Sequence, residues 1–196
     1  MSLYTLLLFL HVSGAICLFI GFGIWLFGIT AIARATQVEQ IRTLADLLVM
    51  TRMLVPVSAF VVIAAGLTMA VTTWGIQTSW IAVALGSLVV IGPIGAWVID
   101  PKVRAIAVLA RTLPDGPLPH TLTKRTHDFV LRTSLHTALA MLFGIVFLMT
   151  SKPAFTTAIV AMVISAFLGL ASGLWLGRAR RASPSDRFHR HKEKAS

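Results

Sequence analysis

Four side chains in this sequence are costly to place in hydrocarbon and are of types that hold a cofactor: His11, Arg52, Arg132 and His136. Arg132 and His136 are four residues apart, share a helix face and could address one ligand. On haem b the imidazole would take the iron and the guanidinium a propionate. The same pair also fits a polar helix interface, with His136 bonded to a neighbouring Ser, Thr or carbonyl and Arg132 reaching lipid phosphate. His11 shares its helix face with Gly14, Leu18, Gly21, Trp25 and Gly28, and therefore points toward protein. Arg52, at the entrance of the second span, completes a candidate cofactor-binding set of His11, His136, Arg132 and Arg52, in which His11 and His136 are the candidate metal ligands. Helix rise and a hydrocarbon core of about 30 Å put the two histidines about 14 Å apart in depth. One haem bridged by both is therefore awkward, and one histidine with water, a Met or a partner's side chain is the expected ligation.

Other chemistry is sparse. The methionines at 50, 53, 69, 141, 149 and 162 show no clustered spacing around a Cys or His and read as core filler, leaving copper handling a weaker reading. His189 and His191 sit among basic residues, which oppose a bound cation, and His120 and His127 fall in or beside a loop. A Gly-rich phosphate loop, a nucleophile elbow, a zinc-protease helix and a carboxylate pair are all missing, so no catalytic assignment follows. Cys17 is the only cysteine and lies within a span, where it reads as a small apolar residue.

The elements that must position these residues are helices in lipid. Met1 to Ala33, Met53 to Ile99, Thr133 to Ser151 and Pro153 to Gly177 contain no Asp, Glu, Lys or Arg. A span needs about 20 apolar residues, so the longest stretch makes two spans and the others one each. The expected fold is an all-α integral membrane bundle of five transmembrane helices over residues 1–177, followed by a disordered basic cytoplasmic tail, 178–196. A mean hydropathy of +0.86, with 57% hydrophobic and 12% charged residues, leaves too little polar surface for a water-soluble domain. The second span covers Thr51 to Val71 and the third Trp80 to Ile99, joined by an uncharged turn from Thr72 to Ser79. Gly92 and Pro93 should kink the third span. Arg34 to Asp46 reads as a polar surface segment, and Asp100 to Asp128 as a loop in which Pro114, Gly116, Pro117 and Pro119 break any long helix. The first helix lacks a basic start and a small-x-small cleavage site, so it reads as a retained span.

The net charge of +10 reflects topology, with no nucleic-acid partner implied. Three Lys or Arg fall between Arg34 and Arg52, six between Asp100 and Arg132, one at Lys152 and seven from Arg178 onward. The positive-inside rule then puts the N-terminus outside and the C-terminus in the cytoplasm of a bacterial inner membrane, with the basic side facing anionic lipids. Small residues recur every seven positions at Gly14, Gly21 and Gly28, and every four at Ser165, Gly169, Gly173 and Gly177, where helices can approach closely. The second seam could meet its own bundle or another subunit, as in a homo-oligomer or a complex with a membrane partner.

Leu10-His-Val-Ser-Gly-Ala15, then Gly21, Gly23 and Trp25, Arg52, Ala65-Gly-Leu-Thr-Met69 with Trp74, Trp80, and Asp100-Pro-Lys-Val-Arg104 resemble the bacterial family of predicted integral membrane proteins called domain of unknown function 2269. The resemblance covers roughly residues 3 to 150. That family in turn is similar to copper-resistance D-type membrane proteins and, more distantly, to HemJ-type protoporphyrinogen oxidases, which are haem-associated and carry a histidine in the first span. The resemblance implies that His11 is the counterpart of that histidine. No lysine lies inside the second or third span, so the oxidase reaction is not carried over. The leading reading is a small membrane protein that binds haem b or is redox-associated. The alternative is a non-catalytic structural or accessory subunit of a larger membrane complex. The charge asymmetry makes a direct prediction: reporters placed after Arg178 and within Asp100 to Asp128 read as cytoplasmic, and one at Gln77 as external. A cytoplasmic signal at Gln77 contradicts five spans.

Overall fold

In lipid every backbone N–H and C=O must be satisfied within the chain, and helices do this within one segment. The computed structural model describes residues 2–75 and 77–181, and these contain no strand. Eight α-helices follow in order: α1 Leu3–Ile32, α2 Val38–Thr51, α3 Leu54–Met69, α4 Ser79–Pro93, α5 Asp100–Thr112, α6 His120–Thr126, α7 Phe129–Ser151 and α8 Phe155–Arg181. Five continuous helical stretches are long and apolar enough to cross a membrane: Leu3–Ile32, Val38–Trp74, Ser79–Thr112, His120–Ser151 and Phe155–Trp175. The protein is an all-α integral membrane bundle, as expected. α8 continues through the first basic residues to Arg181, and the rest of the expected disordered tail lies outside the described residues.

Two glycine seams hold the bundle. A Cβ built on Gly14 would lie 3.0 Å from Val62 Cγ2, one on Gly21 2.8 Å from Val55 Cγ2, and one on Gly28 2.5 Å from Leu48 Cδ2. The seven-residue repeat of α1 is thus matched by a seven-residue repeat running the other way along α3 and α2. The second seam is internal. A Cβ on Gly169 would lie 2.5 Å from Thr137 Cα, and one on Gly173 2.8 Å from Thr133 Cα, so α8 lies directly on the backbone of α7. Ser165 meets Gly144 from the other side, with a Cβ at 144 falling 2.6 Å from its Oγ.

The segments expected as surface and loop at the basic end are more ordered than their polarity suggests. Val38, Ile41, Ala45 and Leu48 of α2 are buried, as are Val103, Ile106, Ala107 and Ala110 of α5. Both sets have helical spacing, so each helix is amphipathic and the two pack together. Polar contacts fix the pair. Arg42 donates from Nη1 to Asp115 Oδ1 at 2.7 Å, from Nη2 to Leu113 O at 2.8 Å and from Nε to Ala110 O at 3.2 Å, satisfying carbonyls left over at the C-terminal end of α5. Arg111 donates two bonds to Asp46 Oδ1, and Gly116 N–H donates to Glu39 Oε2 at 3.2 Å. The chain does break where expected: α5 ends before Pro114, and Gly116 takes φ +136°, a conformation that suits glycine.

Prolines mark the joints. Pro56 has no N–H to give the carbonyl of Arg52, and the helix is interrupted there between α2 and α3. Pro93 stays inside its helix, and the expected disturbance takes the form of a π-helical segment, Ile94–Ile99, that runs into α5. A second π-helical turn, Ala70–Trp74, ends α3 at Gly75, which has φ +83°. Replacing Gly173 by Leu forces side-chain atoms into the α7 backbone. We expect a loss of about 1 to 3 kcal/mol, read as a lower thermal midpoint in detergent. An unchanged midpoint contradicts the contact.

Candidate functional site

α3 packs along α1, whereas α4 packs on α7 and α8; although consecutive, α3 and α4 scarcely touch each other. Two cavities occupy the cleft between them. One, of about 870 Å³, lies toward the end opposite the basic one and is walled by His11, Gly66, Met69, Trp74, Trp80 and Lys152 among mainly apolar residues. The other, of about 590 Å³, lies toward the basic end and includes Trp25, Arg52, Phe60, Gly95, Asp100 and Arg104. Leu18, Ile63, Leu88 and Leu142 line both, so the two cavities adjoin at mid-depth.

His11 is positioned by α3. Its Nδ1 lies 2.9 Å from the carbonyl oxygen of Val62, and a Cβ on Gly66 would fall 2.8 Å from its Cε1. A carbonyl only accepts, so Nδ1 is the donor of this contact, and Nε2 is the nitrogen left to meet a ligand. Gly66 provides the space in which the ring lies. Aromatics line this end of the cavity: Trp74 and Trp80 meet edge-on with centroids 6.0 Å apart, and Lys152 Nζ stands 4.1 Å from the centroid of Trp74. Lys152 is the C-cap of α7, with φ +48°.

His136 is elsewhere. It sits on α7 against α8, with Nδ1 3.3 Å from Ser172 Oγ, while the Ser172 hydroxyl donates to Gly169 O at 2.9 Å. Neither His136 nor Arg132, one turn before it, lines either cavity. The rings of Phe19 and Phe143 meet with centroids 4.9 Å apart and so set the register of α1 against α7. From that level His11 lies eight residues toward one end and His136 seven toward the other, or about 22 Å apart by helix rise. The separation is wider than the sequence suggested, and the two histidines serve different helix pairs. Arg52 lines the basic-end cavity, beside Trp25, fourteen residues from His11 along α1 or about 21 Å. The four candidate residues therefore do not form one site.

Sequence reasoning passed over Gly66, Lys152 and the Asp100–Arg104 pair as site residues, although 100 and 104 have helical i, i+4 spacing and do form an ion pair at 2.9 Å. Among the described residues no group of three His, Cys, Asp or Glu side chains could hold a metal ion.

A family model described as predicted integral membrane protein, DUF2269, matches residues 5–153. The chain belongs to that family. The match takes in α1 from its third residue through α7, and with them every residue of both cavities except Tyr4, while α8 lies beyond it. No curated protein and no solved structure matches the chain, so the comparisons do not extend to copper-resistance D-type or HemJ-type proteins.

Gly66→Val should push the His11 ring off Val62 and lower the thermal midpoint by the equivalent of about 1 to 3 kcal/mol. Gly86→Val is the control, because a Cβ there meets nothing within 4 Å. Equal midpoints for the two variants contradict the packing of His11 on Gly66.

Proposed function

We propose that this DUF2269 member binds haem b in the larger cavity, where His11 Nε2 would hold the iron, and serves as a redox-associated membrane protein without an assigned catalytic step. The observation that carries the reading is the placement of His11: its Nδ1 lies 2.9 Å from the Val62 carbonyl oxygen, which suits an Nδ1–H donor and leaves Nε2 as the nitrogen available to a metal on the wall of an apolar space of about 870 Å³. Haem held there would supply one-electron transfer within the bilayer. The chain's own residues would do the rest. Val62 and Gly66 orient the imidazole, the apolar wall excludes water, and Lys152 and Tyr4 at the mouth offer a cation and a hydroxyl to carboxylates. Met69 and Met149 line the same cavity and would offer thioethers to the iron. His136 is assigned to the α7–α8 interface, which agrees with the Ser172 contact.

The same reading puts the protein in a bacterial inner membrane with its basic end in the cytoplasm, supported by sixteen of seventeen Lys and Arg on one side.

The test is the visible spectrum of the purified, detergent-solubilised protein. A Soret band is expected in the wild type and in His136→Ala, and its loss in His11→Ala. Loss in His136→Ala with retention in His11→Ala overturns the assignment. No haem in any preparation, even after reconstitution with added haem, leaves the accessory-subunit reading, and copper found by metal analysis in its place favours copper handling through His11 and the two methionines.

A further inference from the structure

The basic-end cavity is built differently from its neighbour. Its polar wall consists of Arg52, Arg104, Asp100 and Trp25. Asp100 is engaged by Arg104, whose Nε donates to Oδ2 at 2.9 Å. The Arg52 guanidinium makes no hydrogen bond or ion pair with any described residue. It is held at the helix break that Pro56 enforces, half-buried beside apolar surface. Trp25 is only 3% exposed, and its indole N–H has no acceptor among the described residues. The wall therefore holds two guanidinium groups and one carboxylate, with a net charge of one positive and its donors in excess. A guanidinium in this position is stabilised by an anion.

Behind the charges the cavity is apolar, floored by Leu18, Phe22, Ile63 and Leu88. Gly95 is buried, yet a Cβ built on it meets nothing within 4 Å, and Gly92 is equally open. Interiors are close-packed, so a buried glycine facing empty space marks room for something outside the chain. Exposed Phe60 and Gly92 flank the groove, so it is open on the lipid-facing side.

We propose that this groove is a binding site for one anionic glycerophospholipid, its phosphate on Arg52 and Arg104 and an acyl chain running along Phe22 and Leu18 toward mid-depth. Size argues against a partner helix: a cylinder about 10 Å across would fill about 590 Å³ in roughly five residues, less than two turns. A soluble anion would answer the charge and leave the apolar floor uncovered. A zwitterionic lipid would cover the floor and bring an ammonium to a wall that already carries excess positive charge. The proposal is independent of haem binding, which concerns the other cavity.

The experiment is native mass spectrometry of the delipidated full-length protein in detergent, titrated with phosphatidylglycerol, with phosphatidylcholine of the same chains, and with inorganic phosphate. The wild type should retain one phosphatidylglycerol in preference to phosphatidylcholine. Arg52→Gln should weaken that retention about tenfold or more, as expected for a lost charge-assisted contact. Gly95→Leu, whose Cβ meets no atom within 4 Å and whose side chain would extend into the void, should reduce retention of both lipids while leaving the thermal midpoint as high as in the wild type. Retention of phosphatidylglycerol unchanged in Arg52→Gln and in Gly95→Leu overturns the proposal. So does equal retention of the two lipids by the wild type, or full displacement of phosphatidylglycerol by inorganic phosphate, which would make this an anion site only.

Discussion

Close approach of helix backbones at glycine is the interaction on which this bundle depends. Lipid tails are as apolar as leucine, so burying leucine against leucine gives no net gain inside a membrane, and helices associate through dispersion at short range. The glycines of α1 against Val62 and Val55, and those of α8 against Thr137 and Thr133, supply that range. They produce two tight pairs, α1 with α3 and α7 with α8. Everything else is arranged by how these two pairs meet.

They meet through α1 and α7, and α4 joins only the second pair. The cleft follows from this asymmetry. α3 is committed to α1 by the seam, α4 is committed to α7 and α8, and no small-residue face draws α3 and α4 together. Gly86, Gly92 and Gly95 all lie in this stretch, and none of them is used for contact. In α1 and α8 the same residue type closes a helix interface; here it leaves a space open. His11 and Arg52 then become distinctive because they line that space, whereas His136 is absorbed by a helix interface.

Much of this was legible in the sequence. The five spans follow from charge-free length, and the seams from intervals of seven and four, because both are one-dimensional properties of a helix. The position of His11 facing protein followed from the same periodicity, and so did the polar-interface alternative for His136. What the sequence withheld is pairing between distant segments. Nothing local says that α3 will pack on α1 and leave α4, and so nothing local divides His11 and Arg52 between two cavities. The helices α2 and α5 were hidden for another reason. Their polar faces dominate the composition of Arg34 to Asp46 and Asp100 to Arg111, and the buried stripe of Ile41, Ala45 and Leu48 needs its partner stripe before it has meaning. The Asp128 carboxylate shows the same economy of signal: it caps α7 by accepting from Leu131 N–H and pairs with Lys102, two roles for one residue that read in sequence as a loop charge.

The two walls of the cleft are joined at both ends. At one end Ala70–Trp74 turns directly into α4, with Trp74, Trp80 and Lys152 stacked over the turn. At the other, α3 and the π-helical Ile94–Ile99 continue into α2 and α5, which Arg42 and Arg111 clamp together. A slit fastened at both ends behaves like a buttonhole: it widens in the middle and barely at the corners. The regular hydrogen-bond ladder is already interrupted at the break before Leu54 and in the π-helical segment, so these are the points where the slit would give. A molecule taken up by the cleft would therefore enter sideways, through the flank at mid-height, with the bilayer itself as the compartment it comes from.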